Sequence, residues 1–471
     1  MLRPLLIGGE WHQSPDIRPL YTPFGGQEIA QVAYAQAGHI DEVIRLQRDA
    51  HSAAQALSTA QRYEILDRLA QWLTQNAEKV AQLIAQEAGK PLRYARLEVA
   101  RGLVTLTTGR DLVRTLTGEV LPGDLSETLS GRLILTKRVP MGPLLAITPF
   151  NFPLNLVLHK VVPALVAGCA ITLKPAPQAP LTAFWLAEAL LEAGWPPIAL
   201  SVLLADPPLV EGLVRSPAFR LLSFTGSAAV GWHLQTLAAR KKVLLELGGS
   251  AAVIVHDPIS LSAASQAIAE AAYMYSGQVC ISVQRIFVRK ALYMDFLEAY
   301  REAVTQLRGG DPLDEAVHYS ALIDKRAYDR ITQWLMEARL GGARDLLPTE
   351  VDPEKHWISP VLLTEVPVQA HLAKEEAFAP YAEVRTYDTI EEAFALVNDS
   401  PYGLQAGLYT QTESLLKRAW ADLEVGGVVH NAPPTLRLDH MPYGGFKGSG
   451  LGREGVRYAV WEYTEPKALL W

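Results

Sequence analysis

Between residues 141 and 256 short apolar runs alternate with helical segments, and this alternation constrains the fold more than any other feature of the chain. "GPLLAIT", "AITLKP", "SVLLA", "LLSFTG" and "KVLLELGG" read as strands, with helical stretches such as "APLTAFWLAEALLEAG" between them. A strand that is apolar throughout has no polar face to give to water. Parallel neighbours also need a long crossover connection. Repeated βαβ units therefore predict a parallel sheet covered by helices on both faces. A second α/β region is expected from about 260 to 436, with strands such as "RIFVRK", "AEVRTY" and "AGLYT". Residues 39–114 repeat apolar side chains at spacings of three and four, which predicts helices, with a stop at Gly89, Lys90 and Pro91. From 118 to 139 the pattern becomes an alternation, as in "GRLILTKRV", and exposed strands are expected there. A chain of 471 residues exceeds one simple core, so two or three domains are expected.

Composition narrows the function classes. The chain is 49% apolar and 20% charged, with a net charge of −7 and no long basic run, so no nucleic-acid partner is expected. The longest apolar region, 141–158, is interrupted by Pro143, Pro149 and Pro153. A membrane span needs about 20 mostly apolar residues in a regular helix, so no membrane association is expected. The apolar stretch in "MLRPLLIGGEW" is too short for a signal peptide. Two cysteines, Cys169 and Cys280, make no disulfide framework, and no Cys/His cluster suggests a metal. A reducing, cytoplasmic environment fits this usage.

Several local stretches carry candidate chemistry, each with a competing structural reading. Cys169 lies in the apolar run "ALVAGCAITL" and reads as a small buried hydrophobe. Cys280 has small or polar neighbours, Ser276, Gly277, Gln278 and Ser282, and reads either as buried filler or as a nucleophile whose pKa must be lowered. Asn151 in "ITPFNFPLN" is a turn cap or an oxyanion donor. Glu246 in "LLELGGS" is an exposed strand-end carboxylate or a desolvated general base. Gly248 and Gly249 after it favour a close approach of backbone or ligand. In "SFTGSAAVG" Gly226 and Ser227 open a helix, where backbone N–H groups suit an anion. Lys174 ends a strand and either binds a nucleotide ribose or phosphate or is simply solvated. The late loop "PYGGFKGSGLGREG" lacks the P-loop order and reads as a packing loop lining a site.

Taken in order, "FNFP", "FTGS", "ELGG", "GQVC", "EEAFAP" and "PYGGFKGSG" closely resemble the aldehyde dehydrogenase superfamily, over nearly the whole chain from "LIGGEW" onward. The resemblance implies an α/β fold with a Rossmann-like cofactor domain, 1–117 and 137–247, and an α/β catalytic domain, 248–450. A β-hairpin oligomerisation flap, 118–136 and 451–471, is implied with them, and with it a homodimer or homotetramer. It implies oxidation of an aldehyde to the acid. Cys280 matches the attacking nucleophile. Asn151 and the Cys280 backbone N–H match the oxyanion hole, and Glu246 matches the base that hydrolyses the thioester. Lys160 and Glu454 match a proton-relay pair. Thr148, Phe150, Lys174, Pro177, Gly226, Ser227, Leu247, Glu376 and Phe378 match cofactor-contacting positions, and no metal is implied.

Two departures from the common pattern carry further expectations. NAD-preferring members usually have Glu three residues after the lysine, whereas here the residue is Pro177, so use of both NAD and NADP is expected. In "TLRLDHMPYGG", Arg437 is either a substrate-tunnel cation or a surface residue paired with Asp439. With His159, Phe152 and Tyr443 it forms the expected substrate set. The small-molecule substrate is then a short hydroxylated or acidic aldehyde, as in members similar to the lactaldehyde and succinate-semialdehyde dehydrogenases. CoA-acylating members generally lack the base, so Glu246 argues for hydrolysis over acyl transfer to CoA. Intact Cys280, Asn151 and Glu246 argue against a non-catalytic protein that merely keeps the fold.

Overall fold

The apolar runs of the 141–256 region form one sheet. Lys242–Glu246, Leu221–Thr225, Leu144–Ile147, Ile171–Lys174 and Leu200–Val202 lie side by side in that order, all parallel. Gly450–Leu451 adds an antiparallel strand at one edge, and Leu5–Ile7 and Glu10–His12 extend the other. In chain order the strands run outward from Leu144–Ile147 on one side, then return to its other side at Leu221–Thr225. Connections leaving a parallel sheet at such a reversal diverge to opposite faces and open a crevice at the carboxyl ends of the strands. Thr148, Lys174, Gly226 and Leu247 all end or directly follow these strands, so the topology alone gathers them at that crevice. The computed structural model describes residues 2–125, 127–129 and 131–471. Met1, in the range expected for the cofactor domain, and Ser126 and Ser130, in that expected for the flap, lie outside the described residues.

Three helices, Ala37–Gln55, Thr59–Ala88 and Leu92–Val113, occupy the stretch with helical periodicity. The second starts with a reciprocal cap: Gln61 N–H donates to Ser58 Oγ at 3.2 Å, and Ser58 N–H donates to Gln61 Oε1 at 2.8 Å. It ends at Gly89, whose φ of 64° is the left-handed turn that a glycine adopts without a Cβ penalty. Helix Asn155–Ala167 is buried at every position and packs against Leu92–Val113 and Val456–Tyr463. Among the described residues no helix is long and apolar enough to cross a membrane.

A second sheet places Val361–Thr364, Tyr381–Tyr387, Val283–Arg289, Ala251–Val255, Gln405–Tyr409 and Gly427–His430 in parallel, with Arg344–Asp345 antiparallel at its edge. A third, small antiparallel sheet joins Val120–Leu121, Ile134–Pro140 and Thr464–Leu470. Only part of the alternating 118–139 stretch is therefore strand. Its main partner comes from the far end of the chain, through a ladder running from Thr464 opposite Pro140 to Leu470 opposite Ile134. Leu469, Leu470 and Trp471 stay exposed along this ladder.

Candidate active site

Cys280 sits in a loop just before strand Val283–Arg289 and is half-buried. The three residues Tyr275, Ser276 and Gly277 all have positive φ, 50°, 55° and 67°. For the two non-glycine residues this costs about 1–3 kcal/mol apiece, so the surroundings must hold them. They do: Tyr275 Oη donates to the Ala88 carbonyl at 2.8 Å, and Ser276 Oγ donates to the Ser320 carbonyl at 2.6 Å. Gln278 Oε1 accepts from Ile323 N–H at 2.9 Å. Gly249 lies beneath the loop, and a Cβ there would come within 2.8 Å of the Cys280 carbonyl oxygen. Gly248 likewise leaves room for the Glu376 carboxylate, whose Oε1 accepts from Gly249 N–H at 3.1 Å. The close approach expected of this glycine pair is thus made by the Cys280 loop on one residue and an acidic side chain on the other.

Two cavities meet at the cysteine. One, of about 380 Å³, opens at the carboxyl ends of the first sheet and reaches Thr148, Phe150, Asn151, Lys174, Pro177 and, farther in, Glu246. Gly226, Ser227, Leu247, Glu376 and Phe378 also border it. The other, of about 200 Å³, is bounded by Phe152, Asn155, Arg101, Arg437 and Met274 among others. Cys280 and Tyr443 border both. Asn151 Nδ2 donates to the Gln278 carbonyl at 2.9 Å, which draws the amide beside the Cys280 loop. Cys280 Sγ lies 3.1 Å from Tyr443 Oη. Burial pushes its thiol up to about 11, with the Tyr443 hydrogen bond acting in the opposite direction.

Glu246 ends its strand nearly fully buried, and neither carboxyl oxygen has a partner among the described residues. Burial raises its carboxyl well above the ordinary range, and the neighbouring Glu454 adds to this. Glu454 behaves oppositely. Burial pushes it up too, but Lys160 Nζ at 2.8 Å outweighs that and holds it below the ordinary range. The two carboxyls are thus shifted in opposite directions, Glu246 up by burial and Glu454 down by Lys160. Lys160 Nζ also donates to Ser223 Oγ at 3.0 Å, so the pair sits behind the cavity, inside the fold.

Asp439 decides the state of Arg437. Arg101 grips Asp439 through two bonds, Nε to Oδ2 at 3.0 Å and Nη2 to Oδ1 at 2.8 Å. Asn155 Nδ2 donates to Oδ1 at 3.0 Å, and His159 Nε2 lies 3.0 Å from the same oxygen. Burial pushes the Asp439 carboxyl up, but its His159 and Arg101 partners outweigh this and hold it well below the usual carboxylate range. An ionised carboxylate only accepts, so His159 Nε2 is the donor and cannot also accept from Arg437 Nη2, 3.4 Å away. Arg437 forms no ion pair among the described residues. Its Nε is buried without a partner among the described residues, and its guanidinium lies 3.5 Å above the Tyr443 ring. The surface pairing of Arg437 with Asp439 is not formed.

His159 differs from its expected place on the substrate wall. It is fully buried one helical turn beyond Asn155 and borders neither cavity, because that face of the helix points inward under Asp439. Burial, with Arg437 nearby, lowers its pKa and keeps the ring neutral. Arg101, Lys90 and Glu98 were not singled out by the sequence. Glu98 Oε1 accepts the backbone N–H groups of Leu154 and Asn155 at 2.9 and 3.0 Å, and Lys90 Nζ meets Glu98 Oε2 at 2.5 Å. Lys90 also lies 3.4 Å from the Phe152 ring centroid. The only local signal was helical: Glu98 and Arg101, three apart, share one face of their helix.

The larger cavity fits a dinucleotide. The Thr148 and Thr225 hydroxyls are buried without partners among the described residues. Lys174 forms no ion pair among them, and burial lowers its pKa to about 8. Ser227 caps helix Ala228–Leu237 with no side-chain bond of its own. Phe150 and Phe378 meet edge to face, 5.9 Å apart at 87°. No group of three metal-ligating side chains occurs among the described residues.

Comparison with known proteins places the chain in a family. The family described as "Aldehyde dehydrogenase family" matches residues 11–469. A 3-sulfolactaldehyde dehydrogenase of Priestia aryabhattai is 36% identical over 99% of this chain and 97% of its own length. A lactaldehyde dehydrogenase of Methanococcus aeolicus is 34% identical over 99% of each chain. Among solved structures, aldehyde dehydrogenase 21 of Physcomitrella patens, in complex with the reaction product succinate, superposes with a TM-score of 0.96. It is 33% identical and covers 100% of this chain and 98% of its own. The NADP-dependent glyceraldehyde-3-phosphate dehydrogenase of Bacillus halodurans, complexed with NADP, has a TM-score of 0.96 at 30% identity, covering 100% and 99%. A match across nearly the whole length in both sequence and fold leaves one conclusion, that this chain belongs to the aldehyde dehydrogenase family.

Proposed function

We propose that this protein oxidises short aldehydes bearing an acidic or hydroxyl group to the corresponding carboxylic acids, with NAD or NADP as oxidant. The observation that carries the substrate class is Arg437, a cation on the cavity shared with Cys280 whose Nε has no acceptor. A guanidinium left without an anion in a partly desolvated site favours a ligand that brings one, and its planar fork suits a carboxylate, sulfonate or phosphate.

In the proposed chemistry Cys280 Sγ bonds to the aldehyde carbon while the carbonyl π electrons move to oxygen. The Asn151 amide and the Cys280 backbone N–H donate to that oxyanion. Phe150, Glu376, Phe378 and the strand-end residues would hold a nicotinamide cofactor, which would supply the hydride acceptor needed to leave a thioester on Sγ. Glu246 then takes a proton from water, hydroxide oxygen bonds to the acyl carbon, the S–C bond breaks and the acid leaves.

Substrate preference tests this reading. Arg437→Leu is expected to lower kcat/KM for a short acidic aldehyde about ten- to a hundredfold more than for a neutral one of equal length, the usual worth of a charge-assisted contact. Equal losses for both, or a wild type that prefers long apolar aldehydes, would exclude the assignment. Cofactor choice is a separate expectation. Pro177 borders the cavity beside Lys174, and unlike a glutamate it brings no carboxylate of its own against a 2′-phosphate there. Pro177→Glu should shift preference toward NAD by roughly ten- to a hundredfold in kcat/KM. A wild type that rejects NADP by more than about a thousandfold contradicts this.

A further inference from the structure

A cysteine nucleophile acts as the thiolate, and a neighbouring cation, a helix N-terminus or a hydrogen-bond donor must stabilise that charge. Around Cys280 the groups are known. Glu246, from the end of strand Lys242–Glu246, and Glu376, from the loop after helix His371–Lys374, both disfavour an anion on sulfur. Arg437, from the loop preceding strand Phe446–Lys447, favours it from a distance. Lys90, Glu98 and Arg101 share the smaller cavity, but Lys90 is engaged by Glu98 and Arg101 by Asp439. The one side chain within hydrogen-bond reach of Sγ among the described residues is Tyr443, with Oη at 3.1 Å.

The Tyr443 hydroxyl makes no other hydrogen bond among the described residues, so its single proton has no competing acceptor. Its ring is also held firmly. Tyr443 is buried, and its backbone exchanges two bonds with Glu454: Tyr443 N–H to the Glu454 carbonyl at 3.0 Å, and the reverse at 2.7 Å. Arg437 stacks on one face of the ring at 3.5 Å. A phenylalanine would keep all of this packing and lose only the bond to sulfur.

We propose that Tyr443 is a catalytic residue whose hydroxyl donates the hydrogen bond that stabilises the Cys280 thiolate. While the thiol is protonated, either group serves as donor. Once its proton has passed to solvent, sulfur can only accept, and the fixed O–H is the group aimed at it. The bond thus favours the reactive form over the resting one. This inference goes beyond the proposed substrate class and does not depend on it.

Alkylation tests it without turnover. In a Cys169→Ser background Cys280 is the sole thiol, so the rate of reaction with iodoacetamide against pH, with no aldehyde present, reports its thiolate. Tyr443→Phe is expected to slow alkylation at neutral pH about tenfold and to move the midpoint up by about one pH unit. Alkylation as fast as or faster than in the parent across the pH range overturns the proposal. Fluorotyrosine at position 443, a stronger donor of nearly the same shape, should move the midpoint down and carries the test if the phenylalanine variant does not fold. An unchanged midpoint there also overturns it. Because no aldehyde is consumed, this result stands apart from the Arg437 substrate comparison.

Discussion

Cys280→Ala is expected to abolish aldehyde oxidation, by about four orders of magnitude or more, while cofactor affinity stays nearly that of the parent. The sulfur forms the covalent bond of the proposed chemistry, and among the described residues no other thiol borders either cavity. The cofactor-side residues, Lys174, Phe150 and Phe378, come from other segments and keep their positions without it. Cys169→Ala provides the contrast. That thiol is fully buried, pushed up to about 12 by burial, and lies 3.8 Å from the Tyr463 carbonyl within the apolar core. Its loss costs some packing and leaves turnover close to the parent value. Wild-type rates in Cys280→Ala, measured with purified protein and titrated cofactor, would falsify the covalent mechanism.

Glu246→Gln should separate the two halves of the reaction. The amide keeps the shape of the side chain but cannot take a proton from water. Steady-state turnover is expected to fall about a hundred- to ten-thousandfold, the range for loss of a general base. A rapid burst of reduced cofactor, up to about one per site, should precede the stall. The pH dependence has a definite sign. The carboxyl acts as a base only when ionised, and burial together with Glu454 raises its pKa. Hydrolysis-limited turnover in the parent should therefore fall as pH drops through that raised value, at a higher pH than an exposed carboxylate would give. Rapid mixing that shows parental steady-state turnover in Glu246→Gln rules out this role.

Much of the site was legible because its residues sit where local sequence leaves a mark. Lys174, Gly226, Glu246 and Leu247 follow short apolar strands, and a parallel sheet brings strand ends to one side whatever the rest of the chain does. The glycines after Glu246 signalled close approach, and the approaching groups proved to be the Cys280 carbonyl and the Glu376 side chain. Arg101 left no such mark. Its partner Asp439 is 338 residues away, and an arginine on an amphipathic helix looks like a solvated face until the fold places an acid against it. His159 shows the converse. The family resemblance suggested a wall residue, but the helix carries it one turn inward, beneath Asp439.

What the sequence by itself determined is the set of elements and, through the order of its six motifs, the family. Periodicity of two and of three to four is a local property, whereas Cys280, Asn151 and Glu246 each kept a structural alternative until the motifs were taken in order. What only the tertiary structure decided is which charges are free. Asp439 could neutralise Arg437, and it does not, because Arg101, Asn155 and His159 hold its two oxygens first. Tyr443 could be mere packing, yet its hydroxyl lies 3.1 Å from the nucleophile. Electrostatic pairing depends on distances of a few ångströms between segments remote in the chain, and in a partly desolvated cavity those distances determine which groups remain available to a ligand.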